Sequence, residues 1–174
     1  NTNRTISESL QEFAPLVEEA RKAEVSVRGY VSTAWHCPYA GRIDLKETIH
    51  VTEALIAMGI EEVSLGDTVG LAVPSEVELL LEQLHHHREK IALHFHDTSG
   101  TALANVLRAY QMGCPYAPGA SGNLASEDIL YMFEQMGVPT GVDLQKVAAA
   151  SSQLATHLNR KLPSRTLARL LATP

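Results

Sequence analysis

Cysteine is nearly missing from this sequence, with two in 174 residues. Two thiols make no disulfide framework, so a reducing compartment is the expectation: the cytoplasm, or the mitochondrial matrix in a eukaryote. Positive charge is also short, with 14 Lys+Arg against 20 Asp+Glu and a formal net charge of −6. That deficit argues against nucleic acid or an anionic membrane as the main partner, since both are usually met by basic surfaces. Long hydrophobic runs are lacking too. No stretch approaches the ~20 apolar residues needed to span a bilayer, and no basic-then-apolar signal sequence opens the chain. What remains is 45% hydrophobic and 20% charged, too apolar for disorder and long enough to bury a core.

The apolar residues recur with readable periods. Thr5-Ile-Ser-Glu8 has the form of a capping box, and Ile6, Leu10, Phe13, Val17 and Ala20 follow at helical spacing. Pro15 lies inside that pattern and is expected to bend or interrupt the helix. Residues 25–32 alternate and read as a strand. A second capping box, Asp44 to Glu47, leads a helix through Leu45, Ile49, Leu55 and Met58 to Gly59. Strands follow at 60–65 and 91–96, with helices over 75–84 and 101–112 and two more near 124–136 and 143–160. Strands alternating with capped helices imply a parallel α/β layout. The rhythm breaks once. After Met112-Gly113 the chain enters CPYAPGASGN, whose Pro115 and Pro118 exclude a central strand.

Several polar groups gather at strand ends. His94 and His96 stand at i and i+2 on a strand and therefore face one side, while Phe95 faces the other. Such a pair at the carboxyl end of a parallel strand suits a metal, although one buried and one exposed structural His is the plain alternative. Gly66-Asp67-Thr68 ends the preceding strand with a carboxylate and a hydroxyl, which also fits a turn or helix cap. Tyr30-Val31-Ser32 ends the first strand, so three polar strand ends share one rim. The Gly/Pro-rich loop from Cys114 to Asn123 could form a lid carrying an exposed thiol that acts as an acid or nucleophile. Its alternative is a surface loop with an incidental Cys. Cys37, in an earlier CPYA string, reads as a packed free thiol, and His85-His86-His87 as a solvated helix end.

The stretches RGYVS (28–32), CPYAG (37–41), SLGDTVG (64–70), HFHDTSGTALAN (94–105) and CPYAPGASGNLASEDILYM (114–132) together resemble the 3-hydroxy-3-methylglutaryl-CoA lyase family, among the metal-dependent TIM-barrel lyases and synthases. The resemblance implies a partial (β/α)8 TIM barrel of the α/β class, with 1–174 as one domain of later βα units and C-terminal helices. It implies Mg²⁺ or Mn²⁺ on His94, His96 and Asn123, completed by an Asp from the first barrel strand. It makes Cys114 the acid toward the departing acetyl-CoA carbanion or enol and has Asp67 help remove the proton of the tertiary hydroxyl. Asn1, Tyr30 and Thr68 would contact the acyl group. The implied partner is an acyl-CoA substrate, the assembly a homodimer or higher homo-oligomer, and the reaction cleavage of hydroxymethylglutaryl-CoA to acetyl-CoA and acetoacetate. The chain departs from the family in five respects. The N-terminal Arg-Asp pair has no counterpart among these residues, and neither has the strand expected before Cys114. Ala40 and His36 replace Glu and Gly, and Val73 stands where Thr often precedes Pro74. Because a full barrel takes roughly 250 residues, 174 with three strands describe a portion of one.

Overall fold

The structure, a computed structural model, describes residues Arg4–Cys114 and Leu124–Ala172. The chain divides into two compact units, residues 1–120 and 121–174, where the sequence reading expects one domain.

The first unit is built on a parallel sheet. Its order is β1 (Arg28–Val31), β4 (Glu62–Asp67), β5 (Ile91–Phe95), with α2 (Leu45–Ala57) and α3 (Pro74–Gln83) in the two crossovers. Helix α1 (Ile6–Lys22) precedes the sheet and α4 (Ala102–Gln111) follows it. Alternating burial explains the layering. Val63, Leu65, Ile91 and Phe95 are buried on one face of β4 and β5, against α3 side chains such as Val77, Leu80 and Leu81 that are themselves buried. Trp35 closes this layer, 3% exposed, with its ring 5.7 Å from that of Phe95 and its indole N–H donating to the Glu76 carbonyl.

Register decides which residues share a side. Tyr30 pairs with Ser64 and Ser64 with Ala92, while Gly66 pairs with His94 and Asp67 with Phe95. Partners in one row point the same way, so Tyr30, Ser64 and His94 occupy one face and Leu65, Asp67 and Phe95 the other.

Of the two expected capping boxes the first forms in full, while at the second Asp44 caps α2 through the Lys46 amide alone. The Thr5 hydroxyl accepts from the Glu8 amide at 3.2 Å and the Glu8 carboxylate accepts from the Thr5 amide at 2.8 Å. Helix α1 nevertheless continues through Pro15 without interruption. Proline removes the one bond to residue 11, and the bonds on either side, with the Arg21–Glu18 pair near the C-terminus, carry the helix on. A short antiparallel pair, β2 (His36–Cys37) and β3 (Gly41–Arg42), is absent from the sequence reading. It turns on the CPYA string, and Arg42 and His36 reach the Glu76 carboxylate at 3.0 and 3.7 Å.

The second unit is helical, with α5 (Ser126–Gln135), α6 (Leu144–His157) and α7 (Arg165–Ala172). The sequence reading has no α7. Its start is fixed from a distance, because the Asp128 carboxylate on α5 accepts from the amides of Arg165 and Thr166 and from the Ser164 hydroxyl.

Candidate active site

The carboxyl ends of β1, β4 and β5 form the rim where a parallel α/β sheet presents ligand groups. His94 on β5 and His96 just beyond it converge, their Nε2 atoms 3.1 Å apart. Two neutral imidazoles make such a contact with one N–H donating to the other's lone pair. Burial first, and then the neighbouring His96 and Arg28, hold His94 below the usual histidine range. A neutral ring with a free lone pair is the form that binds a metal. The spacing fits as well, since two nitrogens held side by side at ~2.1 Å from one ion lie about 3 Å apart. Among the described residues no cluster of three or more His, Cys, Asp and Glu completes a site. The imidazole pair thus fits part of a mixed shell whose oxygen ligands must come from elsewhere. Asn123, expected among them, lies outside the described residues, as does Asn1.

Gly66 lies beside His94 in the sheet for a steric reason. A Cβ there would stand 3.1 Å from the Ser32 carbonyl oxygen, so a side chain would push back the turn after β1 that lies against this row. Tyr30 is 64% exposed on the histidine side, with the Arg28 guanidinium 5.5 Å from its ring centroid. Beside it a hollow of about 340 Å³ is lined chiefly by α1, α2 and the end of β1, including Phe13, Val51, Ser32 and Thr33. Thr68 is exposed just past β4. Tyr30, Thr68 and the histidines are therefore all accessible at or near one end of the sheet.

Asp67 is placed differently. It is fully buried on the helix-packed face, opposite to the histidines. Its Oδ1 accepts from the Leu71 amide and its Oδ2 from the Ala72 amide, each at 3.1 Å. The carboxylate expected to receive a proton is, in this structure, the group that ties the loop after β4.

Cys114 is a correction. An exposed thiol at the rim is expected; the structure buries it at 5% exposure at the other end of the unit. Its amide donates to the Ala109 carbonyl at 3.1 Å, closing the end of α4. A Cβ on the adjacent Gly113 would lie 3.5 Å from the Arg88 guanidinium, and Arg88 precedes β5. Helix α4 leads back from the rim for about 15 Å, and among the described residues no strand follows it. Burial pushes the thiol pKa up to about 11, only partly offset by Arg88, so at neutral pH it is a thiol and not a thiolate nucleophile. Cys37 shows the reverse, its pKa lowered by hydrogen bonds from the Ala40 and Tyr39 amides.

With this geometry in hand, residues 1–154 match the family model described as HMGL-like. The chain belongs to the HMGL-like family. It is 45% identical over 182 aligned positions to a hydroxymethylglutaryl-CoA lyase of Bacillus subtilis, covering 96% of this chain and 61% of that protein. The crystal structure of the Bacillus subtilis HMG-CoA lyase superposes with a TM-score of 0.89 at 44% identity, covering 99% of this chain and 63% of that one. An HMG-CoA lyase from Acinetobacter baumannii, in complex with coenzyme A and 3-methylmalate, matches with a TM-score of 0.84 at 34% identity over 95% of this chain and 59% of that one. The chain thus spans about three fifths of the length of these relatives. The 182 aligned positions exceed its 174 residues, so the relative carries residues inside the matched stretch that this chain lacks. The three parallel strands and their helices are a portion of the α/β TIM barrel of this family.

Two residues at the rim escaped the sequence reading, Thr101 and Asn105. Their signal was present, as a hydroxyl at the N-cap of α4 and an amide four residues on, on its otherwise apolar face.

Proposed function

We propose that this chain is part of a metal-dependent carbon–carbon lyase that cleaves 3-hydroxy-3-methylglutaryl-CoA into acetyl-CoA and acetoacetate. The observation that supports this most directly is the His94–His96 pair, with Nε2 atoms 3.1 Å apart at the carboxyl rim of an HMGL-like barrel portion. The metal is Mg²⁺ or Mn²⁺, held by His94 and His96 and joined by Asn123. When bound, the cation supplies Lewis-acid stabilisation of the alkoxide formed from the tertiary hydroxyl.

In the reaction the hydroxyl proton leaves and the C–O⁻ becomes the ketone of acetoacetate. The bond between C2 and C3 breaks, and its electron pair passes to the acetyl-CoA carbon as an enolate that then takes a proton. His94 is held below the usual histidine range, and its N–H···N contact with His96 opens when both nitrogens turn to one ligand. Tyr30 and Thr68, exposed toward the rim, present hydroxyls to the acyl group. Asp67 serves by fixing the loop that carries Thr68. The proton for the enolate is not assigned to Cys114, which lies at the far end of the unit. The protein works as a homodimer or larger homo-oligomer, which light scattering on the purified protein checks. In metabolism the activity belongs to leucine breakdown or ketone-body formation.

The same position of Cys114 favours a second reading, a non-catalytic member of the family that keeps the barrel surface. Assaying the full-length protein for acetoacetate release from hydroxymethylglutaryl-CoA separates the two. Turnover with Mg²⁺ or Mn²⁺ that EDTA abolishes supports the lyase; no turnover with either ion sinks it. Val73, at the start of α3, would allow a different acyl group, and turnover of another acyl-CoA in the same assay with none of hydroxymethylglutaryl-CoA would select that variant.

A further inference from the structure

The loop after β4 is held from two directions at a single residue. The Ala72 amide donates to the Asp67 carboxylate at the end of its own strand. Its carbonyl accepts two side-chain bonds from α4 and its N-cap, from the Thr101 hydroxyl at 2.9 Å and the Asn105 carboxamide N–H at 2.8 Å. Ala72 and Asn105 are fully buried, so the Asn105 bond is shielded from water, while the Thr101 bond is partly buried. The orientation of the Asn105 carboxamide is settled by its partner, because a carbonyl accepts only from the nitrogen side. Its oxygen is then left buried without a partner among the described residues. Leucine at this point of an apolar helix face would avoid that penalty, so the amide is there for the bond it donates. Nearby the two loops touch directly. Gly70 has φ +68°, and a Cβ on it would lie 2.6 Å from the Thr98 hydroxyl.

We propose that Thr101 and Asn105 are positioning residues, which clamp the Ala72 carbonyl and so hold the 68–72 loop, with Thr68, against the end of the strand that carries His94 and His96. The catalytic half of this inference rests on the lyase reading; the clamp itself does not. Neither residue touches the reacting groups. They act by fixing where a rim hydroxyl stands relative to the two imidazoles, and a displacement of about 1 Å in such a group lowers turnover up to ~100-fold.

The test uses Thr101→Val, which keeps the shape and removes the donor, with Asn105→Ala as a second variant and Thr101→Ser as the rescue. Three quantities are read on the full-length protein: hydrogen exchange at the Leu71 and Ala72 amides, Mn²⁺ affinity by calorimetry, and kcat and KM for hydroxymethylglutaryl-CoA. Exchange at both amides should accelerate at least ~10-fold, and kcat should fall about 10- to 100-fold with KM nearly unchanged. Mn²⁺ affinity should stay within about twofold, since the imidazoles are untouched. Thr101→Ser should restore both exchange and kcat. Unchanged exchange in both Thr101→Val and Asn105→Ala overturns the clamp, whether or not the protein is active. Faster exchange with kcat unchanged overturns the positioning role. An inactive wild-type protein would refute the lyase reading, while the exchange result would still decide the clamp.

Discussion

Replacing Asp67 tests the tertiary logic of the rim most directly. Its carboxylate is fully buried, and each oxygen accepts one amide at 3.1 Å, from Leu71 and Ala72. Hydrogen bonds to a charged acceptor contribute about 1.5–3 kcal/mol each, and a buried donor left unpaired costs about 1–3 kcal/mol. Ala72 is wholly buried and bears that penalty in full, whereas Leu71 is 51% exposed and can partly turn to water. Asp67→Ala should therefore destabilise the first unit by about 3–4 kcal/mol. Asp67→Asn keeps one acceptor oxygen and turns an N–H toward the other amide, so about 2 kcal/mol is expected. Urea unfolding followed by tryptophan fluorescence is the assay. Trp35 is the chain's one tryptophan, and it is buried in this unit against Phe95. The midpoint should shift with the slope unchanged. A shift equivalent to less than ~0.5 kcal/mol for Asp67→Ala would show that the two amides do not depend on the carboxylate.

Other expectations follow from the same geometry. His94→Ala and His96→Ala should each weaken Mn²⁺ binding at least ~10-fold by calorimetry, and metal affinity equal to wild type in both would remove the imidazole site. His94 has a folded-state pKa below its unfolded value, so the unfolded chain binds more protons as pH falls through and below about 6.5. Its neutral form is stabilised above that window, and the loss of stability on acidification should shrink in His94→Gln. For Cys114 the folded pKa is raised to about 11, so native stability should fall as pH rises from 9.0 toward that value. Brief iodoacetamide labelling of the native protein at pH 8, read by peptide mass, should therefore modify Cys37 well before Cys114; the reverse order would contradict the placement of both thiols. Gly70→Ala meets a positive φ and a Cβ contact of 2.6 Å, so a loss of about 1–3 kcal/mol is expected in the same urea assay.

Much of the fold is legible in the order of residues because its signals are local. Capping boxes, apolar periods of 3.6 and alternation in strands depend on neighbours a few positions away, and β4, β5 and α2 to α6 lie within a few residues of expectation. The i, i+2 rule likewise brings both imidazoles together, and the register sets His94 beside Gly66. What failed was not local. The hairpin of β2 and β3 is only two residues per strand and is joined to α3 by Arg42 on Glu76, and α7 begins where Asp128 of α5 accepts its first amides. No window of sequence contains both partners of either contact.

The two acid–base candidates show the division most sharply. Sequence alone put a carboxylate at the end of β4 and a thiol after α4, and resemblance to the lyases attached a reaction to them. Which way the carboxylate points was decided by pairing of Asp67 with Phe95, which turns it into the helix layer and onto two amides. Where the thiol stands was decided by the direction of α4, which leaves Cys114 beside Arg88 at the far end of the sheet. Residue order thus determined the elements, the histidine pair and the family, since each is written in spacings of a few residues. Only the tertiary structure decided which groups face one another, because that depends on register, helix direction and the partners that buried polar atoms find across the chain.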